Sequence, residues 1–149
     1  MNLEKLNQHT IKVLERSGWN AHRKFDSTNW ILALKDEGYL LHDYAQDILV
    51  ELGNLFIQEK TSKDYMGVML DFNPYEAASG EYDRLENFEL ICNDRLFPIG
   101  GLYDYVVYAG ASKKIYLGDW EGVYFVGDSI ESFLDNIFTK GYKPQKVFF

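Results

Sequence analysis

Leu96-Phe97-Pro98-Ile99-Gly100-Gly101 opens a stretch, residues 96–141, in which three short β-type runs lead into one amphipathic helix. Pro98 removes a backbone donor and the glycine pair permits unusual dihedrals, so this opening reads as an edge strand turning a corner. In Tyr103-Asp104-Tyr105-Val106-Val107-Tyr108-Ala109, alternation places Tyr103, Tyr105, Val107 and Ala109 on one strand face and Asp104, Val106 and Tyr108 on the other. Gly110-Ala111-Ser112 supplies a turn, and Lys114-Ile115-Tyr116-Leu117 returns the chain as a hairpin would. Asp119-Trp120-Glu121-Gly122 is a second turn, before a third run, Val123-Tyr124-Phe125-Val126. Asp128 then reads as a helix cap, with Glu131 three places on completing a capping box. Ile130, Phe133, Leu134, Ile137 and Phe138 repeat at helical spacing to give one apolar stripe, and Gly141 sits where a helix stop belongs. The pattern predicts an antiparallel meander backed by a helix.

Upstream, residues 2–17 read as a helix carrying Leu3, Leu6, Val13 and Leu14, stopped by Gly18. Ser27 reads as the cap of a second helix over 28–37, closed by Gly38. A third covers 42–52, with Ala45, Ile48, Leu49 and Leu52 on one side and Asp43 near its positive end. Residues 55–59 and 67–72 read as strands joined by a polar segment, 60–65, and Asn73-Pro74-Tyr75 as a turn. Leu85, Phe88 and Cys92 place a helix from about Tyr82 onward. No repeat or linker divides the chain. The expected architecture is one α+β domain, a mainly antiparallel sheet with helices packed on one face.

Composition narrows the function. A chain of 149 residues with 46% hydrophobic and 16% aromatic content buries a real core rather than remaining disordered. Its formal net charge of −8 makes free nucleic acid and anionic membranes poor partners and a basic protein an easy one. A single cysteine, Cys92, excludes an internal disulfide and fits a reducing compartment. No secretory signal and no run long enough to span a bilayer is visible, so a cytoplasmic location is expected.

No residue type stands in a pattern that marks a reactive centre. His9, His22 and His42 lack the spacing of a zinc site, and no metal or other cofactor is expected. Cys92, beside Leu90 and Ile91, reads as a buried inert thiol. Gly127-Asp128-Ser129 lacks the glycine pattern of a nucleophile elbow, and no phosphate loop occurs. A paired-carboxylate hydrolase is formally open among Asp104, Asp119 and Glu121, but nothing in their spacing singles out a pair. Gly118-Asp119-Trp120-Glu121-Gly122 has two readings: an indole between acids that anchors a basic partner, or a Trp120 folded back onto the core beside solvated turn acids. Trp19 reads as structural, with Arg23 bonded to a carboxylate or a backbone carbonyl.

Ser17-Gly18-Trp19, Arg23, Asp26, Tyr39 and Leu52-Gly53-Asn54-Leu55 resemble the N-terminal half of SUKH-superfamily immunity proteins, nearest to the third subfamily. Leu96-Phe97-Pro98-Ile99-Gly100 and Ile115-Tyr116-Leu117-Gly118 fit the same pattern, and the likeness covers almost the whole chain. Ala109-Gly110-Ala111-Ser112 departs from it at a turn of expected Asp-x-x-Gly type. The resemblance implies a SUKH-like fold and a bacterial antitoxin that binds and neutralises a secreted polymorphic toxin, often a nuclease or nucleic-acid deaminase. It carries over no catalytic residue. Asp104, Asp119, Trp120 and Glu121 are the expected partner-binding residues, and the competing reading is an intracellular scaffold or regulatory module with the same fold.

Overall fold

Asn2 and Asn7 each begin a helix by folding a side-chain oxygen back onto the backbone. The computed structural model describes residues 1–61, 64–141 and 144–148. Asn2 accepts from the Glu4 N–H at 3.1 Å and opens a single 3-10 turn, Leu3–Lys5. Asn7 accepts from the His9 N–H at 2.9 Å and opens α1, Gln8–Arg16. The single helix expected over 2–17 is therefore two, because Leu6 is extended and Asn7 restarts the ladder. The Asp135 carboxylate fixes the break from across the molecule, accepting from the Asn7 N–H at 3.0 Å and the Thr10 hydroxyl at 2.7 Å.

Helices α2, Thr28–Glu37, and α3, Asp43–Leu52, lie where periodicity puts them. The Ser27 side chain makes no capping bond. Asp26 takes that work instead, accepting from the Thr28 hydroxyl at 2.5 Å and the Thr28 N–H at 3.0 Å, and these bonds, the hydroxyl's first, hold its carboxyl below the usual range. His42 caps α3 and fastens it to the sheet. Its Nδ1 accepts from the Ala45 N–H and its Nε2 lies 2.8 Å from the Ala109 carbonyl, so the ring is the neutral tautomer with its proton on Nε2.

Strands β1, Phe56–Thr61, and β2, Asp64–Asp71, run further than expected, so most of the predicted polar connector is strand; residues 62 and 63 lie outside the described residues. Asn73-Pro74 starts a short helix, α4, Pro74–Ala78, rather than a plain turn: Asn73 caps it and Pro74 fills its first position, where no donor is needed. A 3-10 turn over Tyr82–Arg84 leads into α5, Leu85–Cys92. Then come β3, Leu96–Leu102, β4, Tyr105–Gly110, β5, Ile115–Asp119, and β6, Gly122–Gly127, which is the expected meander. Helix α6, Ile130–Asp135, continues into a π turn, Asn136–Lys140, ended by Gly141 at φ +59°, and β7, Gln145–Lys146, closes the sheet. The cap of α6 is Ser129, accepting from the Ser132 N–H at 3.1 Å, in place of Asp128. Glu131 completes no capping box, since its carboxylate accepts from the Asn2 N–H.

Among the described residues seven strands lie in sequence order, each antiparallel to the next. Strand β3 is interior, not the expected edge. The β2 ladder reaches it only at Gly101 and Leu102, and a bulge between Pro98 and Gly100 adjusts its pairing with β4, so the missing N–H of Pro98 is accommodated. At the centre both faces are covered. Phe88 of α5 packs edge-on against Tyr108 at 6.0 Å, and a Cβ on Gly118 would lie 2.7 Å from the Phe88 ring, so only glycine lets α5 approach there. Gly127, paired with Ile115 on the opposite face, sits directly under Phe133 of α6. The one-face packing expected of the helices persists at β1, where Ile57 is buried and Phe56 and Gln58 stand in solvent.

Candidate partner-binding surface

The register that pairs Val106 with Gly118 and Asp119 with Gly122 brings the β3–β4 tip and the β5–β6 tip to the same end of the sheet. The first tip carries Tyr103 and Asp104; the second carries Trp120 and Glu121. Between them Tyr105 and Tyr124 meet edge-on, ring centroids 5.7 Å apart. The Tyr124 phenol is held above its ordinary value, first by partial burial and then by Asp119, Tyr105 and Glu121, as befits a strongly acidic neighbourhood.

Asp119 shapes the second tip. Its Oδ1 accepts from the N–H groups of Glu121 at 2.9 Å and Gly122 at 3.1 Å, a local turn that leaves the next side chain no route back to the core. Trp120 accordingly stands 80% exposed, which decides against the folded-back reading. It lines a groove of about 420 Å³ with Asn87 and Ile91 of α5 on one side and Lys146 and Phe148 on the other. Phe148 is 76% exposed and was not foreseen, because Val147-Phe148-Phe149 is a continuous apolar run with no alternation to tell an outward ring from an inward one.

Asp104 lies apart from this groove. It lines a smaller depression of about 310 Å³ with Phe56, Asp71 and Tyr103. The four expected contact residues thus share one end of the molecule but divide between two concavities. Of the three acids weighed for a carboxylate pair, Asp119 and Glu121 line the same groove and Asp104 lines the other depression. Among the described residues no group of His, Cys, Asp and Glu is arranged to hold a metal ion. None of their helices is long and apolar enough to cross a membrane.

Trp19 is buried, and Arg23 donates to the Glu51 carbonyl at 3.0 Å, as expected of a structural pair. Cys92 is half-buried rather than fully buried as expected; that partial burial still pushes its thiol up to about 12, with Asp94 adding to the effect and Lys114 opposing it. At pH 8 a thiol so placed is about a thousandfold less ionised than a free one. Alkylation of the folded protein at that pH should run at least a hundredfold slower than in denaturant (roughly, from the thiolate fraction); mass spectrometry of timed aliquots would read this, and equal rates would contradict the burial.

A family model described as SUKH-3 immunity protein matches residues 6–140. The chain belongs to that family. SUKH-3 membership supports an immunity-protein role, and an immunity protein implies a cognate toxin as partner. The match spans every element from α1 to the π turn, so both tips and all of α5 fall inside the SUKH-3 region, whereas Phe148 falls outside it. No curated protein and no solved structure matches the chain.

Proposed function

We propose that this SUKH-3 protein is a non-enzymatic cytoplasmic antitoxin that neutralises a secreted toxin, a nuclease or other nucleic-acid-targeting one, by covering its basic substrate surface. The observation that carries the reading is Trp120, an indole held out in solvent between two acids. Exposing so large an apolar group costs solubility unless something covers it, and Trp is the residue most enriched among interface hot spots. The charge of −8 supplies the rest: a nuclease's phosphate-binding channel is positive, so an acidic protein is steered to it and competes with nucleic acid for the same field. Asp104, Asp119 and Glu121 are the acids placed to do so.

The test is capture of the adjacent toxin gene's product, followed by affinity measurements at several salt concentrations. Trp120→Ala should weaken binding by about thirtyfold or more, the scale of a hot-spot truncation. The variant combining Asp104→Lys, Asp119→Asn and Glu121→Lys should slow association and flatten its salt dependence. Asparagine is chosen at 119 because its side-chain oxygen still accepts the two turn N–H groups. Unchanged affinity and salt slope in both variants would place the toxin on another face.

A further inference from the structure

The depression beside Asp104 has a chemistry of its own. Phe56 of β1 pairs with Asp71 of β2, and Asp71 pairs on its other side with Gly101 of β3, so one row across three strands presents a ring, a carboxylate and then no side chain. The empty place at Gly101 makes the hollow, which Ala77 of α4 closes behind: a Cβ on Gly101 would lie 3.4 Å from that of Ala77. Phe56 is 52% exposed and forms one wall. Tyr103 forms another. Its backbone is left-handed, φ +53°, a conformation that bulky residues rarely adopt, and it is pinned there by its N–H to the Met69 carbonyl at 3.1 Å and by its hydroxyl to the Gly67 carbonyl. Glu76 and Asp104 complete the rim, and none of the lining residues is a cation. Asp71 itself forms no ion pair among the described residues. Burial, reinforced by Glu76, raises its pKa, so the group lacks a counter-ion in the place where it most needs one.

We propose that this cup receives one arginine side chain of a protein partner, its guanidinium flat against Phe56 and Tyr103 and its N–H groups donating to Asp71. The proposal deepens the antitoxin reading, and rests on it for the identity of the partner. Guanidinium is favoured over ammonium because it is planar, stacks on rings, is weakly hydrated and donates in a fork that matches a carboxylate. At about 310 Å³ the depression has room for one side chain and none for a helix. Its place at the same end of the sheet as Trp120 lets a single partner engage both.

Titration of the isotope-labelled full chain with a capped tripeptide, glycine–arginine–glycine, followed by NMR, tests the cup without any toxin. The expected result is saturable shifts centred on Phe56, Asp71, Tyr103 and Asp104. A lysine peptide should bind measurably less tightly, and a citrulline peptide, which keeps the shape and loses the charge, should not saturate. Phe56→Ala should weaken the arginine peptide by about twofold to fivefold, and Asp71→Asn by about tenfold; both positions are solvent-facing enough that unchanged circular dichroism is the fold control. Shifts spread evenly over the acidic surface, equal binding of the citrulline or lysine peptide, or full affinity in both variants would overturn the assignment. Toxin capture fails or succeeds independently: loss of capture with an intact arginine titration indicts the choice of partner and leaves the cup standing.

Discussion

Between about pH 10 and 12 the protein should unfold cooperatively, in the range where an ordinary tyrosine merely ionises. Burial pushes the Tyr44 phenol up to about 12, and it raises Tyr39, Tyr108 and Tyr116 further still. Each neutral hydroxyl is favoured by the fold. The contribution is whole below the unfolded value near 10 and drains away as pH climbs through the folded one, because the native state then holds protons that the unfolded chain releases. Tyr39, Tyr108 and Tyr116 are all nearly fully buried. Three such groups lose about 1.4 kcal/mol each per pH unit above pH 10, hence about 6 kcal/mol by pH 11.5, which matches the whole stability of many domains. Tyrosinate absorbance recorded with far-ultraviolet circular dichroism would follow it. Any absorbance phase near the ordinary tyrosine value should leave the fold intact, and a later phase should coincide with loss of secondary structure. One phase at the ordinary value, with the dichroism unchanged, would mean these tyrosines are not packed as described.

Leu134→Ala should cost about 2–5 kcal/mol, the range for a buried leucine truncated in a core that relaxes only in part. Leu134 is fully buried on α6 beside Phe133, and this helix holds three things at once. Its Asp135 carries the cap of α1; its Phe133 lies under Gly127; and its first N–H, that of Ile130, donates to the Tyr44 hydroxyl at 2.8 Å. Loosening it therefore reaches α1, α3 and β6 together. Urea unfolding should show a lower midpoint with the slope retained, and the melting temperature should fall by about 2–4 °C per kcal/mol. Leu90→Ala, on the outer side of α5 where the side chain is largely exposed, is the contrast and should change stability by no more than about 0.5 kcal/mol. A loss below about 1 kcal/mol at Leu134 would show that α6 is not seated on the sheet.

The α+β class and the meander were legible because they rest on local periodicity: alternation in 103–109 and the apolar stripe from Ile130 to Phe138 each survive whatever surrounds them. What escaped was settled at a distance or by a choice between near-equal neighbours. Asn7 interrupts an otherwise helical run because a carboxylate more than a hundred residues away receives its N–H. Ser129 outcompetes Asp128, and Asp26 outcompetes Ser27, where two capping residues stand side by side and only the entry direction of the chain decides. Pro98 reads as an edge residue, yet it sits inside the sheet because the β2 ladder stops short of it. The surface residues divide likewise. Trp120 between two acids was visible as a motif, and its exposure required the Asx turn at Asp119. The cup was invisible, since Phe56, Asp71 and Tyr103 lie in three separate segments that only the strand register unites.

Sheet order identical to sequence order has a consequence for how the molecule is made. As the chain leaves the ribosome, each new strand emerges beside the one it will pair with, so the sheet can grow hairpin by hairpin without waiting for distant partners. Helix α1 cannot settle in this way. The carboxylate that closes its start arrives 128 residues later, so the N-terminal end of α1 gains its cap contacts only after α6 has been made.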